Sequence, residues 1–380
     1  MEEVCVIGVG MHRFGIWRDV PLATLARTAG RAALADAGIS FRDVEAAWVG
    51  HLHAPAMKAT LLMKEFGLTG LPVTRVEAAS ATGSVAFREA YLAIAGGHCE
   101  VAMALGVDKF TDLTGGQAPR QRRDIEATIL PVAFFAMWAT RRMHDRGTRP
   151  EHLARIAAKN WNHGALAPMS HRQPDHRITV EEVLASKVIS EPLTAMMCCP
   201  VDDGAACAIL ARKDVARRLQ PGRPLVTVKA SVLRSETYTP GHTFLGAVVG
   251  PAQMTADTAR AAYERSGIDP ADVSLVHVHD AFAIEELEYY ELLGLCRPGE
   301  AEGLLESGAT EIGGRVPFST DGGLLARGHP GGPTGLAQIH ETVQQLRGEA
   351  GKRQVANARI GLCHLVGGGS VCCINLLQRE

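Results

Sequence analysis

The spacing of apolar and polar positions switches between two periods along the chain, and the order of these segments predicts an α/β protein. Residues 4–9 follow the pattern of a strand, residues 22–37 that of a helix, and residues 44–50 that of a second strand. Strand-helix-strand units of this kind build parallel sheets that are covered by helices. At 380 residues the chain exceeds one average domain, so two similar domains are expected.

The same unit returns later in the sequence. Residues 31–44 and 260–273 align at an offset of 229, and seven of the fourteen positions are identical. This match indicates an internal duplication. We therefore expect two pseudo-symmetric strand-helix halves, residues 1–222 and 223–380.

Each half also contains a similar helix start. Thr82-Gly83 opens one helical pattern and Thr334-Gly335 opens another. Ser80 and His329 precede these two starts. In two pseudo-symmetric halves that pack together, we expect these side chains to face each other.

Residues 110–190 have no counterpart in the second half. They contain two predicted helices, over residues 130–146 and 150–163. An excursion of this length usually carries function or covers a site. Its basic tract, Arg120-Gln121-Arg122-Arg123, has the chemistry to bind phosphate groups, although most such clusters are solvated surface.

Composition and charge exclude several classes of function. The 39 basic and 41 acidic residues leave a formal charge of -2, so no global field favours nucleic acid or an anionic membrane. With 46% hydrophobic residues, the chain can bury a substantial core. No apolar run approaches the roughly eighteen residues that a membrane span needs.

The nine cysteines do not form a metal or disulfide pattern. They lack paired Cys-x-x-Cys spacing, and an odd number in a chain of this size is atypical of a secreted disulfide framework. The first residues carry two acids and turn at once into a strand pattern, unlike a signal peptide. We expect a reduced, cytoplasmic protein without a metal site.

One tract, residues 321–335, surrounds His329 with glycines and prolines and then continues into a helical pattern. Glycine permits backbone angles that are closed to other residues and lets a ligand approach closely. The pattern predicts an imidazole on a loop that is aimed at a substrate. The alternative is a loop histidine that caps a helix.

This tract resembles the Gly-His-Pro-x-Gly-x-Thr-Gly signature of the thiolase superfamily. Residues 76–84, Val-Glu-Ala-Ala-Ser-Ala-Thr-Gly-Ser, are similar to the thiolase nucleophile segment. His279-Asp280-Ala281-Phe282 resembles the box of the lipid-transfer-protein (SCP-x-like) and archaeal branch, and residues 361–369 resemble the closing glycine-rich loop. The resemblance implies a layered αβαβα thiolase fold with a loop domain at 110–190. It also implies a homodimer, with coenzyme A as substrate or product and no covalently bound cofactor.

Ser80 stands where thiolases carry the cysteine that accepts the acyl group. An alcohol is harder to ionise than a thiol by roughly 7 pKa units, on the order of 10 kcal/mol, and a helix terminus contributes only about 0.3–2 kcal/mol. Three interpretations stay open. Ser80 is a nucleophile with His329 as its general base, it caps the helix, or it was introduced in place of a native cysteine.

The resemblance implies further roles in the second half of the chain. His279 and His329 would form an oxyanion hole for a thioester enolate, and Asp280 would orient the site or cap the next helix. Leu365 occupies the place of a second, acid-base cysteine, which leaves Cys363 and His364 as weaker candidates. The expected substrate-binding residues are Gly328, Phe282, Gly367 and Gly368.

The expected function is thiolase-like acyl transfer that makes or cleaves the carbon-carbon bond next to an acyl-CoA thioester. One alternative is a retro-aldol lyase that acts on a β-hydroxyacyl-CoA without a covalent intermediate. Another is a non-catalytic subunit that binds acyl-CoA. Relatives in this branch often need a small partner with a zinc ribbon and an OB-fold, and such a partner is also expected here.

Overall fold

The computed structural model describes residues 2–52, 58–114, 131–238, 242–243, 246–247, 253–368 and 370–380. The strands in this part of the chain are β1 Val4–Gly15, β2 Ala46–Gly50, β3 Val73–Val76, β4 Val101–Lys109, β5 Val188–Ser190, β6 Leu193–Thr194, β7 Asp203–Arg212, β8 Val226–Ser235, β9 His242–Thr243, β10 Gly246–Ala247, β11 Leu275–His277, β12 Ile360–Gly367 and β13 Val371–Arg379.

The helices are α1 Leu22–Ala37, α2 Lys58–Met63, α3 Thr82–Ala95, α4 Phe110–Thr114, α5 Pro131–Arg146, α6 Pro150–Ala165, α7 Val180–Ala185, α8 Lys213–Leu219, α9 Gln253–Ser266, α10 Ala283–Leu292, α11 Ala301–Glu306, α12 Gly323–Ala326 and α13 Thr334–Arg347. The two helices predicted in the excursion are present as α5 and α6. The basic tract 120–123 lies outside the described residues.

Nine strands form one mixed sheet in the order β11-β12-β13-β8-β1-β7-β4-β2-β3. The order β2-β4-β7-β1 on one side is repeated on the other as β11-β12-β13-β8. Parallel pairs join β2 to β4 and β11 to β12, and the β4–β7 and β12–β13 pairs are antiparallel in both halves. This repeated topology agrees with the predicted duplication. The boundary at residue 222 stays a prediction.

Helices separate the two half-sheets into layers. Helix α1 packs on one face of the first half-sheet, and α3 and α13 lie between the two half-sheets because each contacts strands of both. Helix α9 covers the far face of the second half-sheet at β8 and β13. The layering is therefore αβαβα, as predicted.

Side-chain size on β4 and β7 explains how the central helices fit. The face of these strands toward α1 carries larger groups such as Met103, Leu105 and Ile209, whereas the opposite face carries alanines such as Ala104 and Ala208. Small side chains let a helix backbone approach a sheet closely. The central layer can therefore hold α3 and α13 side by side.

Within the described residues, the two half-sheets share a short ladder, Cys5 with Thr227 and Val6 with Val226. Arg347 on α13 reinforces this junction from the second half. Its guanidinium donates to Asp36 Oδ2 at 2.8 Å and to the carbonyl of Ile7 at 3.0 Å. Charge-assisted bonds of this kind are among the stronger hydrogen bonds in proteins.

Among the described residues, no helix is long and apolar enough to cross a membrane.

Candidate active site

Helices α3 and α13 begin against each other at two glycines. A Cβ atom on Gly83 would lie 2.6 Å from the carbonyl oxygen of Gly332, and one on Gly335 would lie 2.4 Å from the amide nitrogen of Ser84. Real Cβ contacts are almost never this short. The glycines therefore allow backbone-to-backbone contact, which brings the loops before the two helices together.

Ser80 lies on the loop between β3 and α3. The preceding residue, Ala79, adopts a φ of 47°, which is strained for a residue with a side chain. Thr82 holds this loop, since its hydroxyl accepts from the amide of Ala78 at 2.9 Å and donates to the carbonyl of Ala79 at 2.6 Å. The Ser80 hydroxyl lies 3.0 Å from Nε2 of His329 and caps no amide of the helix.

The partners of His329 define its tautomer. Nδ1 lies 2.8 Å from the hydroxyl oxygen of Thr334, and that hydroxyl donates its own proton to the carbonyl of Pro330 at 2.6 Å. A hydroxyl has one proton, so Thr334 can only accept from His329. His329 therefore carries its proton on Nδ1, and its Nε2 lone pair accepts the Ser80 proton.

Burial, the nearby His279 and Arg327 hold the pKa of His329 well below its ordinary value. Its imidazole is thus neutral and able to act as a base. The backbone amide of His329 donates to Asp202 Oδ1 at 3.0 Å. Burial raises the pKa of Asp202 to about 6, although a hydrogen bond from His171 opposes the shift. Asp202 anchors the loop, while Thr334 orients the ring.

His279 follows β11, and its ring is perpendicular to that of His329, with centroids 5.3 Å apart. Its Nδ1 lies 2.7 Å from Glu285 Oε1 on α10. Burial lowers the pKa of His279, but the Glu285 carboxylate, together with a smaller contribution from Asp280, raises it, and the net shift is upward. The pKa values of the two imidazoles are therefore shifted in opposite directions: His329 is neutral, and His279 can carry a positive charge.

The four predicted substrate-binding residues lie around these groups. A Cβ on Gly367 would lie 2.1 Å from the carbonyl of Ala78, and one on Gly328 would lie 1.8 Å from Asp202 Oδ2. Gly368 has a φ of 56° and lies beside Ala79. The ring of Phe282 stacks on Phe135 of α5 at 4.8 Å.

These contacts explain the choice of residues. The glycines allow the site loops to pack closely, and Phe282 connects the site to α5. Their role in binding substrate stays a prediction.

The weaker candidates point elsewhere. The thiol of Cys363 contacts the Thr342 hydroxyl at 3.1 Å, and burial raises its pKa to about 12. The ring of His364 lies between Thr255 and Tyr289, and burial followed by His279 lowers its pKa to about 3. In the described part of the chain, neither side chain hydrogen-bonds Ser80 or His329.

Asp280 connects two helices beneath the His329 loop. Its Oδ1 accepts from the amide of Leu324 in the first turn of α12, and its Oδ2 accepts from the side-chain amide of Asn160 on α6, both at 2.7 Å. Burial, and then the carboxylate of Glu286, raise its pKa. Asp280 thus holds α12, whereas the sequence suggested a cap for the helix that follows it directly, α10.

Three residues that support the histidines were not singled out for these roles from sequence. Thr334 belongs to the glycine-rich signature and opens a helix, but neither feature indicates that it binds His329, and Asp202 stands in an unremarkable loop. Glu285 looks like an ordinary acid in the first turn of a helix, where carboxylates are common. Glu285 can hold the His279 ring because it is buried beside it, and that burial depends on the fold. No group of three or more metal-ligating side chains occurs in the described ranges.

Two family models match the chain. The thiolase N-terminal domain matches residues 4–214, and the thiolase C-terminal domain-like model matches residues 249–374. The acetyl-CoA acetyltransferase of Methanothermobacter thermautotrophicus is 37% identical over 390 residues, which cover 100% of both chains. Human sterol carrier protein 2 is 35% identical over 396 residues, covering 100% of this chain and 72% of the relative.

A third relative, the benzoylsuccinyl-CoA thiolase subunit BbsB of Thauera aromatica, is 35% identical over 97% of this chain and 95% of its own. Among solved structures, the Ltp2-ChsH2(DUF35) aldolase superposes with a TM-score of 0.85 at 24% identity, covering 99% of this chain and 98% of that one. Human mitochondrial 3-ketoacyl-CoA thiolase in complex with CoA gives 0.74 at 17% identity, covering 100% and 98%. These structures share the fold.

The family models and the full-length relatives agree with the motifs around Ser80, His279 and His329. The chain belongs to the thiolase superfamily, in the branch that includes the archaeal acetyl-CoA acetyltransferases and sterol carrier protein 2.

Proposed function

We propose that this protein is an acyltransferase that makes or cleaves the carbon-carbon bond next to the carbonyl of an acyl-CoA thioester. The observation that carries the proposal is the Ser80–His329–His279 arrangement. A hydroxyl lies 3.0 Å from an unprotonated Nε2, and a second, perpendicular imidazole lies beside it. Full-length relatives named acetyl-CoA acetyltransferase and benzoylsuccinyl-CoA thiolase subunit support the same chemistry.

In this proposal His329 first acts as the general base for Ser80. A free alcohol is too weak an acid to ionise at neutral pH, so the proton must leave as the oxygen attacks the carbonyl carbon. His329 Nε2 is suited to take it because Nδ1–H is engaged by Thr334. Once protonated, Nε2 becomes a donor and joins His279 in stabilising the oxyanion.

A retro-aldol lyase acting on a β-hydroxyacyl-CoA is the second candidate. It is favoured by the two positions, Ser80 and Leu365, at which the thiolase pattern has cysteines. In such a lyase His329 would remove the proton of the substrate hydroxyl, and no acyl-enzyme would form. A subunit that only binds acyl-CoA would not need a neutral imidazole aimed at a hydroxyl.

Substitution of Ser80 separates these candidates. Intact-protein mass after incubation with a 3-oxoacyl-CoA should show an acyl increment that disappears in Ser80→Ala, together with CoA-dependent cleavage. If Ser80 replaces a native cysteine, Ser80→Cys should gain thiolysis and carry an acyl-cysteine. A lyase would keep its activity on β-hydroxyacyl-CoA in Ser80→Ala. The absence of cleavage of either substrate class by all three proteins would contradict an enzymatic function.

We also propose that the protein is a cytoplasmic homodimer that recruits a small partner with a zinc ribbon and an OB-fold. The similar structure named Ltp2-ChsH2(DUF35) aldolase supports the proposal of a partner, because that name joins two components. Coenzyme A would enter as substrate or leave as product. Mass measurement in solution, with and without co-expressed partner, tests the assembly, and a strictly monomeric protein would contradict it.

A further inference from the structure

The proposed reaction needs a proton donor, and this chain lacks the cysteine that has that place in the thiolase pattern. When the carbon-carbon bond breaks, the shorter thioester leaves as an enolate, and its C2 atom must receive a proton. Leu365, fully buried and apolar, occupies the place of the acid-base cysteine in the thiolase pattern. Cys363, two residues away, has its thiol against Thr342. Neither residue is placed to protonate an enolate held between Ser80 and the two histidines.

We propose that His279 is the general acid for this step, with Glu285 as the positioning residue that holds it as an imidazolium. This inference rests on the proposed function. It assigns to the pair a proton transfer in addition to oxyanion stabilisation.

The hydrogen bonds of Glu285 define its charge. Its carboxylate is fully buried and accepts from His279 Nδ1 at 2.7 Å, from the amide of Phe282 at 3.0 Å and from the hydroxyl of Tyr289 at 3.2 Å. The amide of Phe282 and the hydroxyl of Tyr289 both donate to it, so the carboxyl group needs no proton of its own, and an ionised carboxylate can only accept from His279. A buried carboxylate stabilises a positive charge on an adjacent imidazole, and His279 is the partner of Glu285 that can carry one.

The same bond restricts what His279 can donate. A neutral imidazole has one N–H, and Glu285 Oε1 fixes it on Nδ1. Nε2 would then carry a lone pair and could not donate to a thioester oxygen or to a carbanion. His279 can serve as a donor only when both of its nitrogens are protonated.

The groups around His279 direct the positive charge to this ring. Glu285 faces it from α10, with the Tyr289 hydroxyl bound to the same carboxylate. His329 faces it from the loop before α13, and the His364 ring meets its backbone amide from β12. The adjacent Asp280 adds a further favourable interaction. Both neighbouring histidines have lowered pKa values and are neutral, whereas the pKa of His279 is raised.

The two histidines together account for every proton that moves in the reaction. His329 takes the Ser80 proton as the oxygen bonds to C3, and the C2–C3 electron pair becomes the enolate. His279 transfers its Nε2 proton to C2 and becomes neutral, with Nδ1–H still on Glu285. Transfer of the proton from His329 to His279 Nε2 restores both rings, so the Ser80 proton is replaced on C2 overall. In the synthetic direction, the Nε2 lone pair of neutral His279 removes the C2 proton.

His279 would act as an acid in cleavage and as a base in enolisation. The rates of the two reactions should therefore change in opposite directions as pH rises through the His279 pKa, giving opposite pH limbs. Cleavage of 3-oxohexanoyl-CoA with free CoA should fall as pH rises through the His279 pKa, above the ordinary value of about 6.5. Exchange of the C2 hydrogens of butanoyl-CoA in D2O, followed by mass spectrometry, should rise through the same pH. It should persist in Ser80→Ala, since it needs no nucleophile.

Glu285→Gln should move both limbs to lower pH and slow each reaction by roughly tenfold or more. Tyr289→Phe removes one donor from Glu285 and should move both limbs to higher pH, which keeps the test available if Glu285→Gln does not fold. Glu288→Gln is the matched control. It lies on the same helix and its carboxylate binds Arg142, so both limbs should stay in place.

Unaltered limbs in Glu285→Gln, with exchange and cleavage intact, would overturn the inference and leave the proposed function standing. The same holds if cleavage and exchange change in the same direction with pH. Absence of both reactions from the unaltered protein would instead remove the proposed function.

Discussion

The two halves begin their central helices alike, but they give the site different groups. In the first half, Thr82 holds only its own loop, through Ala78 and Ala79. At the equivalent position of the second half, Thr334 holds the backbone of its loop and also the imidazole of His329. The two halves therefore keep the same helix start, while the reactive side chains come from the loops before the helices. Ser80 and His329 meet because the two halves pack against each other at these loops.

Among the substitutions that test this comparison, removal of either imidazole should lower turnover the most. His329→Ala should lower turnover by roughly a thousandfold or more, because it removes both a general base and an oxyanion donor. His279→Ala should lower it by roughly a hundredfold or more. Steady-state kinetics, with acyl-CoA affinity measured separately and little changed, would check this. Unchanged turnover in either variant would contradict the assigned roles.

The glycine contact between α3 and α13 can be broken directly. In Gly83→Ala the new methyl group would overlap the carbonyl of Gly332, so the helices must separate. We expect a loss of about 1–3 kcal/mol of folding free energy, as for overpacked cores, and a fall in turnover. Gly303→Ala on α11 is the control, since a Cβ there meets nothing within 4 Å. Thermal unfolding of both variants decides the point, and equal stability would count against the close contact.

The two equivalent threonines offer a smaller and sharper test. Thr334→Val should lower kcat by about tenfold, because His329 loses the acceptor that fixes its tautomer. Thr82→Val loses buried hydrogen bonds of similar cost, about 1–3 kcal/mol. Its kcat should fall less for the same loss of stability. Equal kcat values at equal melting temperatures would show that Thr334 does not orient the ring.

The smallest expected effect is at Cys363. Because its thiol packs against Thr342 away from the reacting pair, Cys363→Ser should change turnover by less than about twofold. A large loss of C2 proton exchange in this variant, with folding intact, would return the acid-base role to the thiol. It would also remove the need for an imidazolium at His279.

Much of the fold could be predicted because the duplication is visible in the residues. The match between residues 31–44 and 260–273 corresponds to α1 and α9 and the turns that follow them. The facing of Ser80 and His329 followed from two equivalent helix starts. The order of all nine strands did not follow, because strand order depends on contacts that are distant in sequence.

The candidate site was predictable where residues lie on glycine-rich loops and less so where burial gives a residue its role. Asp280 was expected to orient the site, yet Glu285 binds His279, and both are acids near the start of one helix. Sequence does not reveal which of two neighbouring carboxylates faces a histidine. The answer depends on the side of α10 that packs inward.

The short junction between the half-sheets has a consequence for inactivation. Between β1 and β8, the halves are joined by two register pairs, by the Arg347 bonds to Asp36 and the β1 backbone, and by the Arg223 bond to Asp36, while each half keeps long ladders of its own. A small shift of one half against the other, at this junction and at the α3–α13 contact, would carry the Ser80 oxygen out of reach of the imidazole without melting any strand. We therefore expect mild heating or low denaturant to abolish turnover before the circular dichroism changes, so that the enzyme would be silenced while still looking folded.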